Sequence, residues 1–288
     1  MILILGSSGY LGSAVIDYFL EKDVHFFQLH KWRFNYYDFH ELYNFVEQNN
    51  VKMIVNCAGY TGTPNIASCE KNKKECYTAN VDLPTILAKV CEFADIELLH
   101  ISSGDIYDGY DKIYDETDVP NFCREGQANY YSFTKALGEN RVKGIMEDNY
   151  YILRPKALFD HFYHTQNYIF KLLKYNKILN LKNCLTNRQD LARIISEFVV
   201  KKPSYGVYNI VNSGHIKPER IIALAKEKYN FNNDFKIFNT SKDFYGSGTS
   251  IVPRSNCLLS NSKLLSEGFK LKDLNTSMEE AFAELRIK

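Results

Sequence analysis

The sequence predicts an α/β fold, a doubly wound parallel sheet joined to a smaller C-terminal lobe. Short apolar runs typical of buried strands alternate with helical patterns through the first 155 residues. A glycine-rich turn follows the first of these runs. Strands that alternate with helices form βαβ units, whose right-handed crossovers cover both faces of a parallel sheet.

Five strands and four helices are predicted in the first part of the chain. In the first helix Leu11, Val15, Tyr18 and Phe19 recur at the spacing of an amphipathic helix. The expected strands are 1–5, 24–29, 53–57, 97–101 and 150–153, and the expected helices are 10–20, 39–48, 79–93 and 129–146.

The alternation loosens after Arg154-Pro155. Helices are expected at 167–175, 191–200 and 218–229, a buried strand at 206–211 and a polar loop at 240–250. We therefore expect a Rossmann-like, dinucleotide-binding domain of residues 1–155 plus 186–215. The substrate-binding lobe is expected to hold residues 156–185 plus 216–288.

Composition disfavours several classes of function. The 35 Lys and Arg residues balance 34 Asp and Glu residues, so no basic field favours nucleic acid. No stretch reaches the ~18 apolar residues of a membrane span, and the start MILILG is too short for a signal peptide. The seven cysteines form no CxxC pair, which predicts reduced thiols in a cytoplasmic protein without a metal site.

The segment GSSGYLG follows the first strand and opens the first helix. Gly6, Gly9 and Gly12 suit a tight turn, a close approach of pyrophosphate to the backbone and close packing of helix on strand. The helix N-terminus then offers N–H groups to the phosphates. The alternative is a plain tight turn. The expected cofactor contacts of this segment are Gly6, Ser8, Gly9, Tyr10 and Leu11.

The end of the second strand predicts the choice of cofactor. NAD-binding sites place an acidic residue here, and this chain has Lys31 and Arg33 instead. Both cations suit a ribose 2′-phosphate, so we expect NADPH. The alternative is two solvated surface cations. Asp38 lies either near the adenine or at the start of the next helix.

Tyr131 and Lys135 are four residues apart and share one face of a predicted helix. A nearby cation favours phenolate, so the Tyr131 pKa is expected to fall and the phenol to transfer a proton to a carbinol oxygen. Ser103, at the end of a predicted strand, would polarise the same carbonyl. The alternative is an ordinary helix face.

These features and more specific segments resemble the extended short-chain dehydrogenase/reductases. Within them the chain resembles the plant-type bifunctional UDP-4-keto-6-deoxyglucose 3,5-epimerase/4-reductases, and less closely the bacterial dTDP-4-dehydrorhamnose reductases. The GDP-fucose synthases provide an analogy for an enzyme with both activities. The segments that carry the resemblance are NCAGYTG (56–62), PN (64–65), CE (69–70), TDVPNF (117–122), YSFTK (131–135) and VPRSN (252–256), with Asn80.

The resemblance implies a UDP-sugar substrate, epimerisation at C3 and C5, and reduction at C4 with NADPH. The resemblance leaves open whether the protein is a homodimer. Arg254 and Asn256 are expected to hold the diphosphate and sugar. The further candidate cofactor contacts are Cys57, Ala58, Gly59, Tyr60, Asn80, Lys135 and Arg154. The candidate substrate contacts are Thr61, Asn65, Ser103, Asp105, Tyr131, Asn167, Arg254 and Asn256.

Epimerisation requires an acid/base pair, for which the resemblance suggests Asp105 and Lys171. Related enzymes carry a cysteine where this chain has Asp105, which puts that role in doubt, and the alternative is a loop-capping aspartate. The alternative for Lys171 is that it is one of several solvated lysines on a helix. His161 and His164 are the other candidates, because fucose synthases use a histidine in this region.

Three other functions compete. The chain could be a reductase of an already epimerised sugar. A 4,6-dehydratase would need an Asp-Glu pair after the strand-end serine, where this chain has Gly104 and Asp105. A non-catalytic, dinucleotide-sensing regulatory subunit would have lost the YxxxK pair, and Tyr131 and Lys135 are both intact.

Overall fold

The computed structural model describes residues 1–229, 231, 233–248, 250 and 252–285. The strands are β1 (Ile2–Leu5), β2 (Phe26–Leu29), β3 (Met53–Asn56), β4 (Glu97–Ile101), β5 (Gly109–Tyr114), β6 (Tyr150–Pro155), β7 (Leu158–Phe159), β8 (Lys177–Leu179), β9 (Thr186–Asn187), β10 (Gly206–Ile210), β11 (Lys236–Phe238) and β12 (Cys257–Leu259).

Several of the α-helices begin at a polar side chain that caps them. Asp38, Asn129, Asn167 and Asn187 each accept a backbone N–H at a helix start. The helices are α1 (Tyr10–Glu21), α2 (Phe39–Gln48), α3 (Ser68–Lys71), α4 (Lys73–Tyr77), α5 (Leu83–Ala94), α6 (Tyr130–Ile145), α7 (Tyr168–Lys174), α8 (Arg188–Lys201), α9 (Pro218–Tyr229), α10 (Ser241–Gly246), α11 (Ser262–Ser266) and α12 (Leu274–Glu284).

Six strands form the central sheet in the order β10-β6-β4-β3-β1-β2, and every neighbouring pair is parallel. The strand order reverses between β1 and β3. In sheets of this kind ligands bind outside the carboxyl ends of the strands, at the point of reversal. The loops that follow β1 and β3 are therefore the expected floor of a binding site. The α/β class and the parallel sheet predicted from the sequence are confirmed.

Side chains along each strand point alternately to the two faces of the sheet, and both faces are buried. Ile2 and Ile4 of β1 pack in one core cluster with residues of α1 and α8. Leu3 and Leu5 pack in the cluster on the opposite face with residues of α2 and α5. A third cluster, in the C-terminal part, joins α7, α9 and α12. The sheet thus provides a rigid platform with its strand ends free for a site.

The C-terminal part departs from the predicted pattern. The expected loop at 240–250 contains α10, whose Thr240 cap accepts from the Asp243 N–H. Leu264 and Phe269, from the segment assigned to the substrate lobe, pack in the core of the sheet. The predicted helix at 79–93 begins with a π-helical turn, Thr78–Asp82. The division of the chain into two domains stays a prediction.

None of the helices in the described ranges is long and apolar enough to cross a membrane.

Candidate active site

A cleft of about 320 Å³ opens at the carboxyl ends of β1, β3, β4 and β6. It brings together residues from Gly9 to Lys171, which are 162 positions apart in the sequence. Its lining is Gly9, Tyr10, Leu11, Cys57, Ala58, Gly59, Thr61, Ile66, Ile101, Ser102, Ser103, Asp105, Tyr131, Lys135, Pro155, Ala157, Leu158, Gln166, Tyr168 and Lys171.

The glycine-rich turn forms one wall of this cleft. Gly6 has φ of +76°, and a Cβ there would lie 2.5 Å from the backbone N of Ala58. A Cβ at Gly12 would lie 2.0 Å from the carbonyl oxygen of Gly6. Gly9 begins α1 without a side-chain cap, and the buried Ser7 Oγ has no partner among the described residues. Uncapped N–H groups and a free hydroxyl fit a phosphate group at this helix start.

The loop after β3 forms the facing wall and is held from behind. Ala58 N–H donates to Asn56 Oδ1 at 3.1 Å, and Asn56 Nδ2 donates to His100 Nδ1 at 3.0 Å. Burial lowers the pKa of His100 to about 3, so the ring is neutral and can accept this bond. The loop geometry therefore does not depend on pH near neutrality.

Asn80 acts on the same loop rather than on the cleft. Its Oδ1 accepts from the Tyr60 N–H and its Nδ2 donates to the Tyr60 carbonyl, both at 2.9 Å. It is fully buried and does not line the cleft. The structure thus gives Asn80 a positioning role, whereas the sequence predicted a cofactor contact.

Lys31 and Arg33 lie beyond the carboxyl end of β2 and are exposed. The last residue of β2, Leu29, pairs with Leu5 of β1, immediately before the glycine-rich turn. The Arg33 guanidinium lies 4.2 Å from the centroid of the Trp32 ring. Asp38 caps α2 by accepting from the Glu41 N–H, which is the second of its two predicted roles.

Ser103, Tyr131 and Lys135 all line the cleft, as predicted. Lys135 Nζ donates to the Ile101 carbonyl at 2.7 Å, and burial lowers its pKa to about 8. A Cβ at Gly59 would lie 3.5 Å from Lys135 Nζ, so the glycine leaves open space beside the amine. The cleft thus holds the polar groups of all three side chains.

The expected lowering of the Tyr131 pKa is wrong for this structure. Burial and the Asp105 carboxylate raise that pKa, while the hydrogen bond with Ser103 acts in the opposite direction. Tyr131 is therefore a protonated phenol, which can donate a proton but needs a nearby positive charge to lose one easily.

Asp105 and Lys171 both line the cleft. Burial lowers the pKa of Lys171, with Asp105 acting in the opposite direction. The side chain of Asp105 is 25% exposed, and its Oδ1 accepts from Lys156 Nζ at 2.8 Å. This ion pair with a buried lysine was not predicted.

Four predicted or alternative residues lie away from the cleft. Arg154 donates from Nε and Nη2 to the two oxygens of the buried Glu139, at 2.9 and 2.6 Å. Asn167 caps α7 and is buried. His161 lies 3.6 Å from Glu284 Oε2, and His164 stacks on Tyr10. The prediction that Arg154 contacts the cofactor disagrees with the structure, because its guanidinium is buried and donates to Glu139 and to Tyr107 OH.

A second cavity, of about 840 Å³, is lined by residues from both parts of the chain. Arg254 lines it and lies 5.4 Å from the Tyr175 ring and 5.8 Å from the Phe244 ring. Asn65 lines it also, whereas the Asn256 side chain is bonded to Asn183 and to the Arg254 carbonyl. The lining is Asn65, Ala67, Glu70, Lys71, Lys73, Glu125, Gly126, Ala128, Tyr130, Tyr175, Asn176, Lys177, Phe244, Gly248, Ser250, Val252, Pro253 and Arg254.

Sequence reasoning missed several residues of the site. Lys156 follows the Arg154-Pro155 dipeptide, and Tyr168 lies three residues before Lys171 on the same helix face. The three-residue spacing of Tyr168 and Lys171 already indicates that both side chains lie on one face of a helix. No group of three His, Cys, Asp or Glu side chains suited to a metal ion occurs within the described part of the chain.

Similarity to known proteins extends along nearly the whole chain. The model of the RmlD substrate binding domain family matches residues 1–285. A trifunctional UDP-glucose 4,6-dehydratase/UDP-4-keto-6-deoxy-D-glucose 3,5-epimerase/UDP-4-keto-L-rhamnose-reductase of Arabidopsis thaliana is 28% identical over 284 residues, 96% of this chain and 40% of that protein. This chain therefore spans about two fifths of that relative's length. A bifunctional dTDP-4-dehydrorhamnose 3,5-epimerase/dTDP-4-dehydrorhamnose reductase of the same plant is 27% identical, over 81% of this chain and 77% of that protein.

Solved structures share the fold. The L780 UDP-rhamnose synthase of Acanthamoeba polyphaga mimivirus superposes with a TM-score of 0.85 at 20% identity, covering 99% of each chain. The dTDP-4-dehydrorhamnose reductase of Bacillus anthracis, solved in complex with NADP, gives a TM-score of 0.77 at 19% identity, covering 98% of this chain and 97% of that one.

Proposed function

The chain belongs to the RmlD substrate-binding-domain family, and from that premise we propose that it is an NADPH-dependent 4-keto reductase of a nucleotide-linked 6-deoxy sugar that also epimerises C3 and C5. The proposed conversion is UDP-4-keto-6-deoxyglucose to UDP-L-rhamnose. The observation that carries the proposal is that Ser103, Tyr131, Lys135, Asp105 and Lys171 line one cleft beside the glycine-rich turn.

The residues around the turn fit a dinucleotide. Three features suit the pyrophosphate. Gly6 and Gly9 have no side chains, α1 starts without a side-chain cap, and the Ser7 hydroxyl has no partner among the described residues. Lys31 and Arg33 supply positive charge for a 2′-phosphate, which favours NADPH. When bound, NADPH supplies the hydride that reduces C4.

Reduction requires a proton for the C4 oxygen. In our proposal Ser103 and Tyr131 both donate hydrogen bonds to this oxygen, and the Tyr131 O–H bond breaks as an O–H bond forms on the sugar. The phenolate that remains lies one helical turn from Lys135, whose charge stabilises it until solvent returns a proton. The raised pKa keeps Tyr131 protonated until the donating step, and the charge of Lys135 then offsets the cost of forming the phenolate.

Epimerisation precedes reduction, because the C4 ketone acidifies the protons on C3 and C5. In our proposal the Asp105 carboxylate takes a proton from each carbon and the Lys171 ammonium returns one to the opposite face. At each carbon one C–H bond breaks and another forms, and exchange with solvent then removes the proton from Asp105 and returns one to Lys171 before the next carbon reacts. The lowered pKa of Lys171 favours this exchange, since a less basic amine releases its proton more readily.

The larger cavity suits the nucleotide part of the substrate. Lys71, Lys73, Lys177 and Arg254 provide positive charge for a diphosphate. Tyr130, Tyr175 and Phe244 provide flat apolar surface for a base.

All seven cysteines are free thiols, which accords with a cytoplasmic location. The homodimer stays a prediction.

A reductase without epimerase activity is the second candidate, favoured by the fixed ion pair of Asp105 with Lys156. Incubation of the chain with NADPH and UDP-4-keto-6-deoxyglucose, with NMR identification of the product, separates the two. A product with the L-rhamno configuration supports the bifunctional enzyme. A 6-deoxy sugar that keeps the original configuration at C3 and C5 supports the reductase alone.

A further inference from the structure

Lys156 is a buried cation that the reaction described above does not use. It follows β6 and is 2% exposed. Removal of an ammonium group from water costs several kcal/mol unless partners replace its hydration. Lys156 Nζ donates to Asp105 Oδ1 at 2.8 Å and to Ser255 Oγ at 2.6 Å. The fold thus keeps a costly charge at the back of the candidate active site.

Lys156 lies behind Asp105 and outside the cleft. Asp105 lines the cleft, whereas Lys156 does not, although its neighbours Pro155 and Ala157 do. A sugar in the cleft can therefore touch the carboxylate and not the amine.

The backbone of Asp105 is held independently of its side chain. Its N–H donates to Ser103 Oγ at 3.1 Å, and its carbonyl accepts from Ser132 Oγ at 2.7 Å. Ser255 Oγ donates to the Tyr107 carbonyl, which anchors the far side of the lysine. Loss of Lys156 would consequently free the carboxylate to rotate while the turn that carries Ser103 stays in place.

The two lysines near Asp105 differ in their proton chemistry. Burial acts against the charge on Lys156, but the adjacent Asp105 carboxylate and the nearby Cys257 and Cys184 act in the opposite direction, and the net effect raises the pKa of Lys156. The pKa of Lys171 is lowered by burial. Lys156 therefore remains an ammonium ion throughout, and Lys171 is the amine that can exchange its proton.

We propose that Lys156, braced by Ser255, is a positioning residue that fixes the Asp105 carboxylate toward C3 and C5 of the sugar. This inference rests on the proposed epimerase function. Lys156 transfers no proton itself. It holds the base at one angle, and a misplacement of 1 Å in such a group can cost about 100-fold in rate.

The test measures proton exchange without reduction. The full chain, with no reductant present, is mixed with UDP-4-keto-6-deoxyglucose in deuterated water, and NMR follows deuterium entry at C3 and C5. Reduction of UDP-4-keto-L-rhamnose by NADPH is measured separately. The variants are Lys156→Met, Lys156→Arg and Ser255→Ala. Lys263→Met is the matched control, since Lys263 is a partly buried lysine that does not line the cleft and donates to the Val207 carbonyl.

We expect Lys156→Met to lower the exchange rate about 100-fold, and to lower the reduction rate far less. Lys156→Arg, which restores the charge and a donor, should recover part of this loss and exchange about tenfold more slowly than wild type. Equal losses of exchange and reduction in a folded Lys156→Met variant would overturn the inference, as would exchange at the wild-type rate.

Should Lys156→Met not fold, Lys156→Arg and Ser255→Ala carry the test. Each disturbs one contact of the network, so exchange should fall by about tenfold while reduction falls less. Wild-type exchange in both variants would overturn the inference. Failure of the proposed function has a different signature, because the wild-type chain itself would then take up no deuterium.

Discussion

The pair of Glu139 and Arg154 provides a test of whether Arg154 is structural. Both side chains are at most 2% exposed, and two charge-assisted bonds of 2.9 and 2.6 Å join them. Arg154 also donates to Tyr107 OH at 2.8 Å. In Glu139→Gln the amide keeps one acceptor and turns a donor toward the guanidinium, which leaves a buried charge uncompensated. Breaking a buried pair in this way costs about 3–5 kcal/mol.

The pKa of Glu139 also reports how strongly Arg154 stabilises the buried carboxylate. Burial acts to raise it, but Arg154 outweighs burial and lowers it to about 2, from an ordinary 4.5. At about 1.4 kcal/mol per unit this corresponds to roughly 3 kcal/mol. Because the folded-state pKa is depressed, this stability is present above pH 4.5 and is lost as pH falls toward 2.

Thermal unfolding followed by circular dichroism measures the effect. At neutral pH Glu139→Gln should lower Tm by roughly 6–20 °C, and the gap from wild type should narrow in acid. Glu47→Gln, on the exposed side of α2, is the matched control and should leave Tm unchanged. A Tm for Glu139→Gln equal to that of the control at neutral pH would refute the structural role of the pair.

Three further predictions concern the cleft. Tyr131→Phe should lower NADPH oxidation by about 100- to 10,000-fold while the fold survives, and near-normal turnover would show that Tyr131 is not the proton donor. A double Lys31→Met, Arg33→Met variant should lose roughly 1–3 kcal/mol of NADPH binding and little NADH binding. Fluorescence of Trp32, the single tryptophan, can report both titrations, and equal losses would refute the phosphate contact. Asp105→Asn and Lys171→Met should each slow deuterium entry at C3 and C5 more than they slow reduction, and normal exchange in both would refute this acid/base pair.

Most strands and helices of the first half were predictable because their patterns are local, whereas β5, α3 and α4 were not predicted. Alternation places Ile2 and Ile4 on one face of β1 and Leu3 and Leu5 on the other, and the glycine spacing reports the close approach to Ala58. The short strand pairs could not be read in this way. The two residues of β7 and of β9 form no periodic pattern, and their pairing depends on contacts far along the chain.

Several residues predicted for the site line the cleft, but the partners of their neighbours were not predicted. The sequence places Lys156 beside Arg154 and cannot show that one faces Asp105 while the other faces Glu139, 15 positions away on α6. Such pairings arise from the crossing of helix and strand in three dimensions. The Tyr131 pKa was also misjudged, since proximity to Lys135 along the helix says nothing of burial or of Asp105.

The central claim is that one cleft both epimerises and reduces the sugar. The most direct measurement is NMR analysis of the product formed from UDP-4-keto-6-deoxyglucose and NADPH by the wild-type chain in deuterated water. The account predicts a product of L-rhamno configuration with deuterium at C3 and C5, and with hydrogen from NADPH at C4. A reduced product without deuterium at either carbon would contradict it.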